Sequence, residues 1–223
     1  MNENYVVVDC ETTGLNPEKD KLIEIACAFR RNGVLYYASN LINPGQSIPP
    51  DVSGITHLTD EDVKDAPQAG DVISEKGFPT GILVAHNARF DQQFLLIPNR
   101  SWLCTMRVSM HLWPECPNFK NQTLRYFLGV KVDIPRGLAP HRALYDVLVT
   151  EAIFQEMLQK HSLEELLILQ DKPVLQRTIR FGKHKGQEWN SVPKDYLSWL
   201  LRQDQSGGID EDCRHTARHW LNA

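Results

Sequence analysis

This chain predicts a mixed α/β fold with a smaller unit at its C-terminal end, and three observations carry that expectation. Within its first 42 residues lie three apolar, β-rich runs, joined by connections too short for crossover helices. Further along, two more apolar runs alternate with segments of helical period. Beyond Pro173 the composition turns basic and aromatic.

Residues 6–10 read as a first, buried strand, because Tyr5-Val6-Val7-Val8 is continuously apolar. Residues 22–29 and 34–42 give a second and third strand, the last ended by Asn43-Pro44-Gly45, and the three form an antiparallel meander. Thr59-Asp60-Glu61-Asp62 carries a capping signature for a helix running toward Lys64. A fourth strand at 82–85, a helix over 88–95 and a fifth strand at 102–105 follow. Helices are then expected at 107–112, 122–128 and 142–158. Strands first and strand–helix units later make a mixed sheet with helices on its faces. Ser162-Leu163-Glu164-Glu165 starts another helix, and Asp171-Lys172-Pro173 breaks the chain. A short strand at 178–181, a Gly-flanked turn and a helix over 194–202 complete a small α+β module. The expected division is therefore residues 1–160, a linker over 161–175, and a module over 176–223.

Side chains two apart on a strand share a face, so Asp9 and Glu11 of Asp9-Cys10-Glu11 project together. Neighbouring carboxylates repel, and a fold rarely sets them side by side without cations between them. Hard oxygen ligands suit Mg²⁺ or Mn²⁺ rather than Zn²⁺, which points to phosphate chemistry. Two more segments belong with this pair: His86-Asn87-Ala88-Arg89-Phe90-Asp91 after the fourth strand, and His141-Arg142-Ala143-Leu144-Tyr145-Asp146 at the start of the long helix. Taken singly, each piece has a plain structural reading. Asp-x-Glu is often loop charge, Asn87 can cap a helix whose Asp91 faces water, and His141 and Asp146 can be surface residues. Their joint occurrence, in order and in matching local contexts, indicates one shared site.

These residues resemble the three motifs of the DEDD exonuclease superfamily, in its subclass with a histidine five residues before the last Asp. The matching stretches are Asp9-Cys10-Glu11-Thr12-Thr13-Gly14-Leu15, His86 through Asp91, and His141 through Asp146, and the resemblance covers residues 5 to 157. It implies a ribonuclease H-like fold and hydrolysis of phosphodiester bonds from a free 3′ end, with DNA the expected polymer and 5′-mononucleotides the product. It also implies two Mg²⁺ or Mn²⁺ ions per active site. Asp9 would bridge both, Glu11 and Asp146 would hold the ion on the side of the attacking water, and Asp91 the ion beside the leaving group. Two cations roughly 3.5–4 Å apart can stabilise both the attacking and the leaving oxygen. His141 would take the water's proton, a task suited to an ordinary imidazole, which titrates at about pH 6.5. Thr12, Thr13, Gly14, Leu15 and Asn87 are candidate substrate contacts. Gly14 would let backbone approach the terminal nucleotide, and Leu15 either packs on its base or belongs to the core.

Composition narrows the class further. Hydrophobic content of 42% and charged content of 23% are ordinary for a globular chain. With 24 Lys plus Arg against 28 Asp plus Glu, the net charge of −4 argues against a coat protein held on nucleic acid by bulk charge. The N-terminus lacks a signal-peptide pattern and no apolar run reaches membrane length, so a cytoplasmic protein is expected. The five cysteines, at 10, 27, 104, 116 and 213, show no paired spacing and read as reduced thiols. Cys10, on the strand face opposite its acidic neighbours, reads as core. Cys213-x-His215-x-x-x-His219 offers soft ligands but has no second pair, so a terminal helix is preferred to a zinc site.

From 172 to 186 there are five Lys or Arg and no acid. With Trp189, Tyr196 and Trp199 nearby, this stretch either grips nucleic acid through Lys183 and Lys185 or forms the core of a satellite module with solvated lysines. Two other functions compete with a free-standing exonuclease. One is a proofreading subunit whose tail holds a polymerase, which calls for a flexible tail, whereas this one looks compact. The other is a noncatalytic scaffold on the same fold, which the complete set of five site residues argues against. No obligate protein partner is evident.

Overall fold

In a computed structural model, residues 5–73, 79–203 and 209–223 are described. Strand β1 (Tyr5–Thr12) is longer than its apolar run, because Asp9 and Glu11 continue to pair with the next strand, Asp9 opposite Ala26 and Glu11 opposite Glu24. The register shifts between Glu11 and Thr12, where the chain leaves the ladder. Strands β2 (Leu22–Arg31) and β3 (Val34–Leu41) complete the antiparallel meander. Strands β4 (Ile82–Ala85) and β5 (Trp102–Cys104) add in parallel, giving one sheet of order β3-β2-β1-β4-β5.

The apolar run of β1 is continuous because both faces of the sheet are covered. Tyr5 and Val7 enter one core with Val84, Leu103 and the helical residues Val147, Phe154 and Met157. Val6, Val8 and Cys10 enter a second core with Leu83, Ala85, Phe94 and Leu95. The first face is covered by α5 (Thr105–Leu112), α6 (Asn121–Phe127), α7 (Ala143–Leu158) and α8 (Leu163–Gln170). The second is covered by α4 (Arg89–Leu95), with the short helices α1 (Pro50–Thr56), α2 (Asp60–Val63) and α3 (Ala69–Val72) on the same stretch of chain between β3 and β4. Of these three, α2 carries the expected capping box, while α1 and α3 were not legible. Each is too short to show a period, and α1 is marked only by Pro50 at its start.

Helix α8 begins at a Ser162–Glu165 capping box, as its sequence predicts. Its last residue, Gln170, caps the sheet edge: the side-chain oxygen accepts from Cys104 N–H at 2.9 Å and the amide donates to the Trp102 carbonyl at 2.9 Å. Beyond it lies a third core of Ile179, Trp189, Val192, Leu197, Leu200, Ile209, Cys213 and Ala217. A 3₁₀ turn (Trp189–Ser191), α9 (Lys194–Arg202) and α10 (Glu211–Asn222) surround it. The strand expected at 178–181 is a single bridge, Thr178 to Glu188. The chain reverses too tightly for a ladder, since Gly186 N–H already returns to the Ile179 carbonyl at 2.8 Å. The β part of the module is therefore minimal.

Arg107 on α5 fastens this module to the sheet. Its guanidinium forks onto Asp212 of α10 and donates to the carbonyls of Gln170 at 3.0 Å and Lys172 at 2.8 Å. Asp212 also accepts the Val174 N–H at 2.8 Å. Among the described residues no helix is long and apolar enough to cross a membrane.

Candidate active site

Three chain segments meet at the carboxyl end of β1. The strand aims Asp9 and Glu11 at the face covered by α7, whose first turn carries Asp146. Ligand atoms of these three acids lie within 4.8 Å of one another, the one such metal-capable group among the described residues. Asp146 is oriented from both sides, accepting His141 N–H at 3.0 Å on one oxygen and the Gln122 amide at 3.4 Å on the other. Asp91, in the first turn of α4, comes from the opposite face. It is only 1% exposed, so the reading of a water-facing helix acid does not hold. Its Oδ1 accepts the Cys10 N–H at 3.2 Å and faces the Cys10 thiol at 3.4 Å. That orientation leaves Asp91 outside the group of three while its charge still acts on Asp9.

Electrostatics describe a site that lacks compensating charge. Burial first, and then repulsion from Asp91, Asp146, Glu11 and Glu24, push the Asp9 carboxyl well above the usual carboxylate range. Burial and the charges of Asp146 and Glu24 push Glu11 up to about 8, and burial pushes Asp91 up to about 7 despite its bonds from Cys10. Burial also raises Asp146, partly offset by the His141 N–H. Four carboxylates that resist ionising together are what a divalent cation would stabilise, and an all-oxygen donor set fits a hard one such as Mg²⁺ or Mn²⁺. The Cys10 thiol is buried, and desolvation with the Asp91 and Asp9 charges raises its pKa, so it stays protonated and is no nucleophile.

His141 stands at the mouth of this site. Its backbone is left-handed, φ 64°, which turns its N–H onto Asp146 and leaves its side chain exposed. Among the described residues its ring has no hydrogen-bond partner.

The exonuclease family (RNase_T) matches residues 6–154, two thirds of the chain. The chain belongs to the exonuclease family. It is 31% identical over 221 residues to Exodeoxyribonuclease 10 of Escherichia coli K12, covering 96% of this chain and 97% of the relative. It is 34% identical to the DNA polymerase III subunit epsilon of Treponema pallidum, over 71% of this chain and 78% of the relative. Among solved structures, Exonuclease X in complex with 5′ overhanging duplex DNA superposes with TM-score 0.68 at 31% identity, over 74% of this chain and 99% of that one. An E. coli ExoI–ssDNA complex, at 19% identity and TM-score 0.57, shares the fold. The sheet and its flanking helices are thus the ribonuclease H-like exonuclease fold, and the protein is a nuclease.

Within this exonuclease site, the other candidate contacts fall into two groups. Leu15 is 82% exposed and so is not core, and Asn87 is exposed in a left-handed conformation, φ 65°. No side-chain cap from Asn87 is formed on α4. Thr12 and Thr13 are instead buried. The Thr12 hydroxyl donates to the Gly14 carbonyl, and the Thr13 hydroxyl accepts Lys21 N–H at 2.9 Å and the Gln46 amide at 2.9 Å. At Gly14 an added Cβ would meet the Asp20 carboxylate at 2.5 Å, so a side chain there would have to displace Asp20 from Asn16 N–H and the Thr13 hydroxyl. Lys183 and Lys185 are exposed on the C-terminal module, not among the carboxylates.

Glu24, its partner Arg142, and His86 support this cluster and had no assigned role from sequence. Glu24, 1% exposed on β2, accepts Arg142 Nε at 2.9 Å, Arg142 Nη2 at 3.0 Å, Ala143 N–H at 3.1 Å and the Ser39 hydroxyl at 2.9 Å. It thereby anchors the residues that follow His141. A lone acid inside Leu22-Ile23-Glu24-Ile25-Ala26 was the available signal, since a charge in a buried strand needs a partner. His86 bridges Thr105 Oγ1 at 2.9 Å and the Phe119 carbonyl at 2.7 Å, tying the end of β4 to the loop before α6. Because a carbonyl only accepts, Nε2 carries the proton, and burial holds this ring neutral with its pKa at about 4.

Proposed function

We propose that this exonuclease hydrolyses DNA from a free 3′ end and releases 5′-mononucleotides, using divalent cations held by Asp9, Glu11, Asp91 and Asp146. The observation that carries this reading is the convergence of Asp9, Glu11 and Asp146 within 4.8 Å at the end of β1, with Asp91 behind Asp9. Support for DNA comes from a relative, named an exodeoxyribonuclease, that aligns over 96% of the chain. Two Mg²⁺ or Mn²⁺ ions, when bound, would activate water and offset charge on the attacking and leaving oxygens.

The chain's own residues do the rest. Asp9, which feels the charge of each of the other acids, would serve both cation positions. Its repulsion from both Asp91 and Asp146 motivates that role. The unprotonated His141 ring accepts the proton of the attacking water and, being exposed, passes it to solvent. The Arg142–Glu24 pair fixes the backbone beside His141, so the imidazole swings from a rigid base. Leu15 and Asn87 are exposed on the turns after β1 and β4, which supports a role for both in meeting the terminal nucleotide. A polymerase-tethering tail is disfavoured by the packing of α10 onto α5 through Arg107 and Asp212.

Degradation of one oligonucleotide labelled separately at each end tests this reading. A 3′ label should appear at once as mononucleotide, while a 5′ label should pass through a ladder of shortening products. Early release of a 5′-terminal mononucleotide, or cuts in the middle of the strand, would refute it. An RNA strand run in parallel should be cut more slowly.

A further inference from the structure

The aromatic residues of the C-terminal module divide into two sets. Trp189 is wholly buried at the centre of the third core, and Tyr196 packs against that core from its edge. Trp199 lies outside it and is 44% exposed. Residues 196 and 199 are one helical turn apart on α9, and their rings stand 5.2 Å apart at 32°. The His184 ring also meets Tyr196, edge-on, at 4.5 Å and 67°. The result is a ladder, His184–Tyr196–Trp199, open at its tryptophan end.

Cations frame this ladder. His184 is carried by the turn whose left-handed Gly182 and Gly186 fold Lys183 and Lys185 outward, both exposed. Gly182 lies so close to the Tyr196 hydroxyl that an added Cβ would meet it at 2.5 Å, which fixes the turn against the ladder. Arg202, also exposed, is one turn beyond Trp199. Of the nearby acids, Glu188 is paired with Arg177 at 3.4 Å, and Asp195 accepts the Tyr196 N–H at 2.8 Å.

We propose that this face binds single-stranded nucleic acid, with a base stacked on Trp199 and phosphates held by Lys183 and Lys185. Stacking needs an exposed base face, which a single strand offers and the interior of a duplex does not. Beyond Gln176, Trp199 is the most exposed large apolar side chain among the described residues, at 44%, and exposed cations flank it, so the face is not an apolar patch for a protein. Its place fits a strand near the active site. Strands β1, β4 and β5 are parallel, so the β5–α5 junction, where Arg107 holds the module, lies at the same carboxyl end of the sheet as Asp9 and Glu11, two strands away from β1. That a strand bound here continues into the active site rests on the proposed function; the binding itself does not.

Fluorescence anisotropy of labelled oligothymidylate with the full chain in EDTA reads binding apart from hydrolysis. Trp199→Ala should weaken binding roughly 5- to 150-fold, and Trp199→Phe should restore most of it. Lys183→Ala with Lys185→Ala should reduce the log–log salt slope by about 1.4. Blunt duplex should respond far less to Trp199→Ala than the single strand does. Oligothymidylate affinity indistinguishable from wild type in Trp199→Ala, with the melting temperature preserved, would overturn the proposal and leave the face to a protein partner. Should that variant fail to fold, an unchanged salt slope in the double lysine variant overturns it equally, because both lysines are exposed and outside the core.

Discussion

Asp9→Asn is expected to reduce nucleotide release on the order of 10³-fold or more, the largest effect of any single change in this chain. Metal-assisted hydrolysis draws several kcal/mol from its cations, and each 1.4 kcal/mol is about a factor of ten in rate. Asp9 is the acid that feels both Asp91 on one side and Asp146 and Glu11 on the other, so its loss removes the position common to all. Asn keeps the volume and one oxygen but not the charge. It should also leave the fold intact, since it relieves repulsion at a half-buried position instead of opening a cavity. Initial rates on 3′-labelled DNA, with the melting temperature as control, check both halves. A variant within tenfold of wild type would mean that Asp9 holds no cation.

Loss of the His141 imidazole should cost about 10²–10⁴-fold in turnover, the usual worth of a general base. Asparagine is the better replacement. His141 sits at φ 64°, a region asparagine tolerates, and its N–H must still reach Asp146 at 3.0 Å. His141→Ala would combine loss of the ring with backbone strain, so a larger defect in Ala than in Asn measures that strain. The acid limb of the pH–rate profile should flatten in His141→Asn, because no ring remains to be protonated there. Higher pH, which supplies hydroxide, should partly rescue it, while cation affinity stays close to wild type. Wild-type turnover near neutrality would remove His141 from the mechanism.

Much of this architecture was legible because its signals are local. The continuous apolar run of β1 requires two buried faces, and the two cores flanking it supply them. The Thr59 and Ser162 capping boxes each start the helix their spacing predicts. What escaped depends on contacts distant in sequence. The Arg142–Glu24 pair joins residues 118 apart, and His86 reaches Phe119 across 33. The run at 178–181 has strand composition, but the Gly182 and Gly186 turn closes it before a ladder can form. Thr13 illustrates another kind of signal that sequence hides: its hydroxyl is tied to Lys21, Gln46 and Asp20 within the turn.

The claim that these carboxylates form a cation site is tested most directly by the melting temperature of the metal-free protein against pH, repeated with Mn²⁺. Glu11 and Asp91, held up to about 8 and about 7, keep protons in the folded state that the unfolded chain has already released. Their contribution to stability is therefore full only below their ordinary values of 4.5 and 3.8, and is lost progressively as pH rises from there through 7 to 8. His86, held down at about 4 from 6.5, acts the other way and weakens the fold as pH falls between those values. The account predicts a decline in melting temperature from about pH 6.5 to 8 without metal, and a Mn²⁺ stabilisation that grows over the same range. Asp9→Asn should soften the decline and remove most of the Mn²⁺ gain. A melting temperature that neither falls toward pH 8 nor responds to Mn²⁺ would contradict it.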